Sequence, residues 1–117
     1  EFRAPRSAVD ISADGGSLIL LVADGRQPRR SVGLTAYETA AWLRYFGASE
    51  GLLLDGGSSS ALAVREPERP SESAVRLLNR PTSPLIPGVE GAVANQIAVF
   101  ADAGEGTTPR GGNTLCP

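Results

Sequence analysis

The run Gly51-Leu52-Leu53-Leu54-Asp55-Gly56-Gly57-Ser58-Ser59-Ser60 drives an apolar stretch straight into an acid, paired glycines and serines. An acid at the carboxyl end of a strand is held by the sheet, yet faces the crevice where such folds take ligands. Adjacent glycines let the backbone approach a ligand and reach positive φ without penalty. Consecutive N–H groups in such a turn form a concave nest for an anion, and the hydroxyls of Ser58 to Ser60 add donors suited to sugar or phosphate oxygens. The plain alternative is a glycine-rich β-turn with solvated serines, and spacing alone does not separate the two. Arg80, before Pro81, offers a fork of donors after a short strand, and Arg6 and Arg26 hold comparable strand-end positions. Taken singly, each is more often a solvated surface arginine. Asn95 sits among small and β-branched residues, where an amide satisfies neighbouring backbone or, less often, contacts ligand. Together these residues describe a polar, arginine-bearing crevice with a carboxylate, suited to binding phosphate or sugar.

Composition removes much other chemistry. The 117 residues are enough for one small domain, and an apolar fraction of 41% suits a globular core. There is no His and no Lys. That excludes a Ser-His-Asp machine, His-ligated zinc, a Schiff base and a P-loop lysine from this chain. The lone Cys116 is either a linker residue or half of a bridge to another segment. A formal charge of −2 with scattered arginines argues against nucleic acid as a partner. No apolar run is long enough to span a membrane. Met is absent, so the chain is expected to be processed or a piece of something longer. Asp10, Asp14 and Asp24 are a weak signal for calcium, and no cofactor is expected.

The elements that must position these residues are short. "SAVDIS" (7–12) and "SLILLVA" (17–23) read as strands joined by a hairpin at Asp14-Gly15-Gly16. Thr35 and Glu38 have capping-box spacing at the start of the main helix, 35–46, and Gly47 suits its left-handed stop. Ala36, Ala40, Leu43 and Gly47 recur at helical spacing, and Trp42, Tyr45 and Phe46 read as core packing. Residues 51–54 look like a strand covered on both faces, making a βαβ passage with the helix. Further strands are expected at 60–65, 75–79 and 93–100, the last two flanking a proline-rich loop. The fold class is therefore α+β: a mixed, mostly antiparallel sheet packed by one helix. One helix cannot cover six strands from both sides, so the cover is expected from a missing N-terminal half or a partner chain. Residues 1–101 form the domain part, and 102–117 read as a Gly/Thr/Pro-rich tail or linker.

In order, "PRS", "ILLVADGRQPRRSVGLTAYETAAWLRYFGASEGLLLDGGSSSAL", "LLNRP" and "VANQIAVF" resemble the C-terminal part of the phosphodiester glycosidase domain. That family includes the N-acetylglucosamine-1-phosphodiester α-N-acetylglucosaminidase, or uncovering enzyme, and many secreted bacterial proteins. The resemblance covers about residues 4–101 and implies cleavage of a sugar-1-phosphodiester or related α-glycoside. It also implies a secreted, periplasmic or cell-surface location. It places Asp55 as the catalytic carboxylate, and Arg6, Arg26, Gly56, Gly57, Ser58, Asn79, Arg80 and Asn95 around the substrate. Asp24 is a weaker second carboxylate, since an acid before glycine is most often a turn former. Two departures stand out: the family's N-terminal half, with its Asn-Gly-Gly-aromatic motif, is absent, and Gly91 replaces a common arginine. The implied enzyme is thus active only when the rest of the domain completes it. One rival is a non-catalytic carbohydrate-binding or assembly subunit that keeps the fold. Another is the phosphate hairpin of actin-like ATPases, which normally opens its domain, unlike this mid-chain position.

Overall fold

The hairpin at Asp14-Gly15 forms. Strand β1 (Arg6–Ser12) pairs antiparallel with β2 (Leu18–Ala23) in the computed structural model, which describes residues 2–66, 74–82, 88–93 and 96–101. The Asp14 carboxylate closes the turn, accepting from the Ser12 hydroxyl at 2.5 Å and the Gly16 N–H at 3.0 Å. These bonds hold the Asp14 carboxyl below the usual range.

Helix α1 (Ala36–Tyr45) starts at the expected cap. The Glu38 N–H donates to Thr35 Oγ1 at 3.1 Å, and the Thr35 N–H donates back to Glu38 Oε2 at 2.9 Å. Arg3 pairs with the same glutamate. The Thr35 N–H bond, with Arg3 beside it, lowers the Glu38 carboxyl. At the other end, Gly47 takes φ +89°, the left-handed stop that needs no Cβ.

Strand β3 (Ala48–Leu53) joins β1 antiparallel on its other side, giving the order β2-β1-β3. Since β2 and β3 both run against β1, they are parallel to each other but not adjacent. The passage β2-α1-β3 therefore steps over one strand, instead of joining two neighbouring parallel strands as 51–54 suggested. A register shift between Ile11 and Ser12 lets β3 begin at Ala48, three residues before its apolar run. After a 3₁₀ turn at Gly57–Ser59, β4 (Ala63–Arg65) and β5 (Val75–Leu77) form a separate antiparallel pair. The architecture is the α+β mix of antiparallel sheets and one helix read from the sequence. Among the described residues of 93–100 there is no strand, and residues 102–117, with Cys116, lie outside the description.

Residues directly opposite in an antiparallel pair share a face, so the register sorts the sheet. Ala8 and Asp10 face α1, which buries Thr39 and Leu43 against them. Leu43 Cδ1 lies 2.9 Å from where a Cβ on Gly51 would stand. The buried Asp10 carboxylate accepts from the Ile11 and Glu50 N–H groups at 2.5 and 3.2 Å, tying β1 to β3 at the register shift. The opposite face carries Ile11, Leu18, Leu20 and Leu52, all exposed.

The aromatic residues of the helix correct the expected core. Trp42, Tyr45 and Phe46 are 47, 78 and 55% exposed and pack on one another, with ring centroids 5.5–5.9 Å apart. Tyr45 lies off the Thr39–Leu43 stripe that meets the sheet, Trp42 borders it, and Phe46 continues it beyond the last helical turn, where it stays half-exposed. Likewise β3 is not covered on both faces; Leu52 and Leu53 are exposed. Removing the reciprocal cap by Thr35→Ala should lower stability by about 1 kcal/mol, read as a shift of the urea midpoint. Tyr37→Ala, on the exposed side of the same helix, should stay within about 0.5 kcal/mol of the parent.

Candidate functional site at one end of the sheet

Register alone brings the sequence motifs together. Arg6 is opposite Ala23, and Ala8 is opposite Leu53. The start of β1 and the ends of β2 and β3 therefore meet at one end of the sheet. Pro5-Arg6, Asp24-Gly25-Arg26 and Asp55-Gly56-Gly57 all emerge there.

Pro5 is the point of convergence, buried beyond 98%. A Cβ on Gly25 would stand 2.5 Å from Pro5 N, and one on Gly56 2.8 Å from Pro5 O. The Gly57 N–H donates to Pro5 O at 3.0 Å, and the Leu54 N–H donates to Ser7 O at 2.9 Å. The glycines of both motifs thus serve close backbone approach.

Asp24 is the electrostatic clamp. Its Oδ1 accepts from Asn79 Nδ2 at 3.2 Å and the Arg80 N–H at 2.9 Å, and its Oδ2 accepts from Arg30 Nε at 2.9 Å. Asn79 also donates to Ser60 O at 3.0 Å, while its Oδ1 accepts from the Leu62 N–H at 2.8 Å. Gln27 Nε2 donates to Arg80 O at 2.9 Å, and Thr82 Oγ1 donates to Gly25 O at 2.7 Å. Burial works to raise the Asp24 carboxyl, but the Arg30 bond, the Arg80 and Asn79 donors and the Arg30 charge outweigh it and leave it lowered. Both oxygens are committed, which suits a structural role better than that of a second reacting acid. Nothing local in the sequence signals this clamp, because Asn79 and Arg80 lie more than fifty residues from Asp24 along the chain.

Asp55 itself is exposed at the end of β3, with Oδ1 accepting from the Gly56 N–H at 2.9 Å. Gly57 has φ +68°, and the Arg26 guanidinium lies over it, with Nη1 3.3 Å from the Cβ position. Arg26 takes φ +55°, a left-handed conformation uncommon for a side-chain-bearing residue. Its guanidinium makes no hydrogen bond to another described residue. Arg6, in contrast, donates Nε to Leu34 O at 3.0 Å and Nη2 to Phe2 O at 3.1 Å. Arg80 lies along Gly88, whose Cβ position is 3.3 Å from its Nε. Ser58 sits half-buried in the 3₁₀ turn, and Ser60 Oγ is buried with no hydrogen-bond partner among the described residues. Asn95 lies outside the described residues.

So the structure brings Arg26 onto the Asp55-Gly56-Gly57 turn and Asn79 and Arg80 onto Asp24, and turns the Arg6 guanidinium to backbone carbonyls. Asp10 and Asp14 lie toward the other end of the sheet from Asp24. Among the described residues no cluster of His, Cys, Asp or Glu could hold a metal, and no helix is long and apolar enough to cross a membrane.

Comparison with known proteins gives two matches. A family model described as phosphodiester glycosidase matches residues 1–100. The SPbeta prophage-derived uncharacterized protein YomE of Bacillus subtilis (strain 168) is 42% identical over 60 residues, 51% of this chain and 9% of that protein. The chain thus spans about a tenth of the length of this relative. No solved structure matches.

Gly25→Ala should destabilise the chain by about 1–3 kcal/mol or more, because the new methyl meets fixed backbone. Gly91→Ala, with open space around its Cβ position, should be close to neutral by the same thermal melt. Asp24 also sets a pH dependence. Its folded carboxyl is lowered, so its stabilisation is present above the unfolded value of about 3.9 and is lost as pH falls through the folded value. Urea midpoints measured downward from neutral pH should fall below about pH 4 in the parent. They should fall less steeply in Asp24→Asn, with a residual slope from Asp14 and Glu38.

Proposed function

Because this chain belongs to the phosphodiester glycosidase family, we propose that it supplies the carboxylate wall of a hydrolase that releases a sugar from a sugar-1-phosphodiester or related α-glycoside. The observation that carries the reading is the Arg26 guanidinium, uncommitted to other described residues and resting over Gly57 beside the exposed Asp55. It sets a positive charge and a fork of donors suited to phosphate over the glycine turn that carries the carboxylate.

The chemistry fits that arrangement. The bond from the anomeric carbon to the bridging phosphate oxygen breaks, and that oxygen keeps the electron pair. Water supplies the hydroxyl to the anomeric carbon and a proton to the medium. A phosphate ester is a good leaving group, so expulsion needs charge stabilisation more than protonation, and an arginine fork with backbone N–H groups provides it without histidine. Asp55 faces the anomeric carbon as nucleophile, as base for water, or as the counter-charge to an oxocarbenium-like centre. Gly56, Gly57 and Ser58 line the turn. Asn79 acts on this site through Asp24 and Leu62, holding the Arg80 loop in place. Ligand contacts by Arg80 and Asn95 belong to the same proposal.

The pocket is completed by the N-terminal half of the same precursor or by another chain, outside the cytoplasm as in the family's secreted members. The exposed face of Ile11, Leu18, Leu20 and Leu52 supports a need for such cover. A second reading, a non-catalytic carbohydrate-binding or assembly subunit, is favoured by the commitment of Arg6 to Leu34 and Phe2. Hydrolysis of a chromogenic sugar phosphodiester by the full-length protein separates the two. Asp55→Asn should lower kcat by about 10²–10⁴-fold, and Arg26→Ala should lower kcat/KM while sparing the melting temperature. Sugar binding without turnover in the parent protein would support the second reading.

A further inference from the structure

Strand β2 is an edge of its sheet, and its free side is unguarded. Among the described residues, the order β2-β1-β3 leaves one row of β2 backbone groups without a strand partner. An apolar groove of about 480 Å³ follows that side, lined by Leu18, Ile19, Leu20, Leu21 and Val22 with Phe46 and Leu62. Consecutive residues lining one groove mean that it runs along the strand edge, since alternate side chains point to opposite faces. The stretch Ser17 to Ala23 has no charge, no proline and no bulge, the devices by which edge strands normally avoid pairing.

The same chain carries a segment suited to that edge. Gln96-Ile97-Ala98-Val99-Phe100-Ala101 has no charge, glycine or proline, and its large residues are strand formers. All six residues are exposed and none is in a strand, with Ile97 60%, Val99 55% and Phe100 92% exposed. The segment matches the six-residue length of β2. Its reach is set by two anchors at the end of β2. The Arg80 N–H donates to Asp24, the residue after β2, and Gly88 packs on the Arg80 side chain while its N–H donates to Pro81 O at 2.9 Å. Gln96 lies eight positions beyond Gly88, a span of up to roughly 26 Å when extended. That is longer than β2, at roughly 20 Å, so the edge lies within reach of its own chain. A chain leaving from the Asp24 end travels down β2 against its direction.

We propose that Gln96–Ala101 closes on the free edge of β2 as an antiparallel strand of its own chain and fills the groove. Phe100 fixes the register: opposite Ile19 it lies on the sheet face that α1 and Phe46 flank, and Val99 then lies opposite Leu20. The closed form brings Gln96 to the end of the sheet that carries Asp55. The proposal stands on topology and exposure and does not depend on the glycosidase reading.

The test uses the full 117-residue chain with Cys116→Ser, which removes its single thiol. Leu20→Cys with Val99→Cys should give an intramolecular disulfide, in a monomer, at a yield independent of protein concentration. Val99→Pro, in the otherwise unaltered chain, removes an N–H that would pair with β2 and should speed amide exchange at Leu20 and Val22, whose N–H groups face the free edge, by roughly tenfold or more, with α1 amides unchanged. A disulfide that forms only between two chains would assign the edge to a second copy and overturn the proposal. Unchanged exchange in the proline variant would overturn it equally, by leaving the edge to a separate partner or to water.

Discussion

The end of the sheet that carries the candidate site is built on the burial of Pro5 between two glycines. The Gly25 and Gly56 backbones approach its N and O so closely that neither position has space for a Cβ. Proline makes the approach possible from one side because its nitrogen carries no hydrogen that would need an acceptor. From the other side its carbonyl is satisfied by the Gly57 N–H. One residue thereby sets the separation between the loop after β2 and the turn after β3. The Asp55 carboxylate and the Arg26 guanidinium belong to those two loops, so their geometry is set by a contact that neither makes.

The acids and arginines at this end divide into held and available groups. Asp24 is half-buried and bonded on both oxygens, and it anchors the Arg80 loop from more than fifty residues away. Asp55 is exposed with only the neighbouring Gly56 N–H on its carboxylate among the described residues. Arg6 and Arg30 are bound to carbonyls and to Asp24, whereas the Arg26 guanidinium stands over the turn. A carboxylate bonded on both oxygens mainly fixes position, since removing it leaves several donors without their acceptor. An exposed carboxylate beside an uncommitted guanidinium keeps both charges for a ligand. The division therefore separates scaffold from chemistry within two short motifs that look alike in sequence, Asp24-Gly25-Arg26 and Asp55-Gly56-Gly57.

What the sequence discloses of this fold is what local physics determines. The Asp14-Gly15 hairpin, the Thr35/Glu38 cap, the Gly47 stop and the strand running into Asp55 each rest on residues within a few positions of one another. Non-local features were not legible. Nothing near Asp24 or Asn79 announces that they bond each other, and acids before glycine read as turn formers. Strand β3 starts at Ala48 and takes in polar Ser49 and Glu50 because the partner β1 shifts register there, which composition does not signal. The helix misled in a different way: apolar residues on several sides made Trp42, Tyr45 and Phe46 read as core, while only Thr39 and Leu43 of the helix are buried.

That apolar excess bears on the chemistry. A helix apolar beyond its packed stripe, beside a sheet with one open apolar face, offers more apolar surface than the described residues cover. Charge development at an anomeric carbon is best stabilised where water is excluded, because fixed donors act more strongly there. Asp55, exposed at the sheet end, has scaffold on one side of it. On the proposed reading, the body that covers Ile11, Leu18, Leu20 and Leu52 also closes the second side of the carboxylate's pocket. Hydrophobic cover and catalytic competence would then be acquired in the same association step, because the apolar face and the carboxylate are presented by the same three strands.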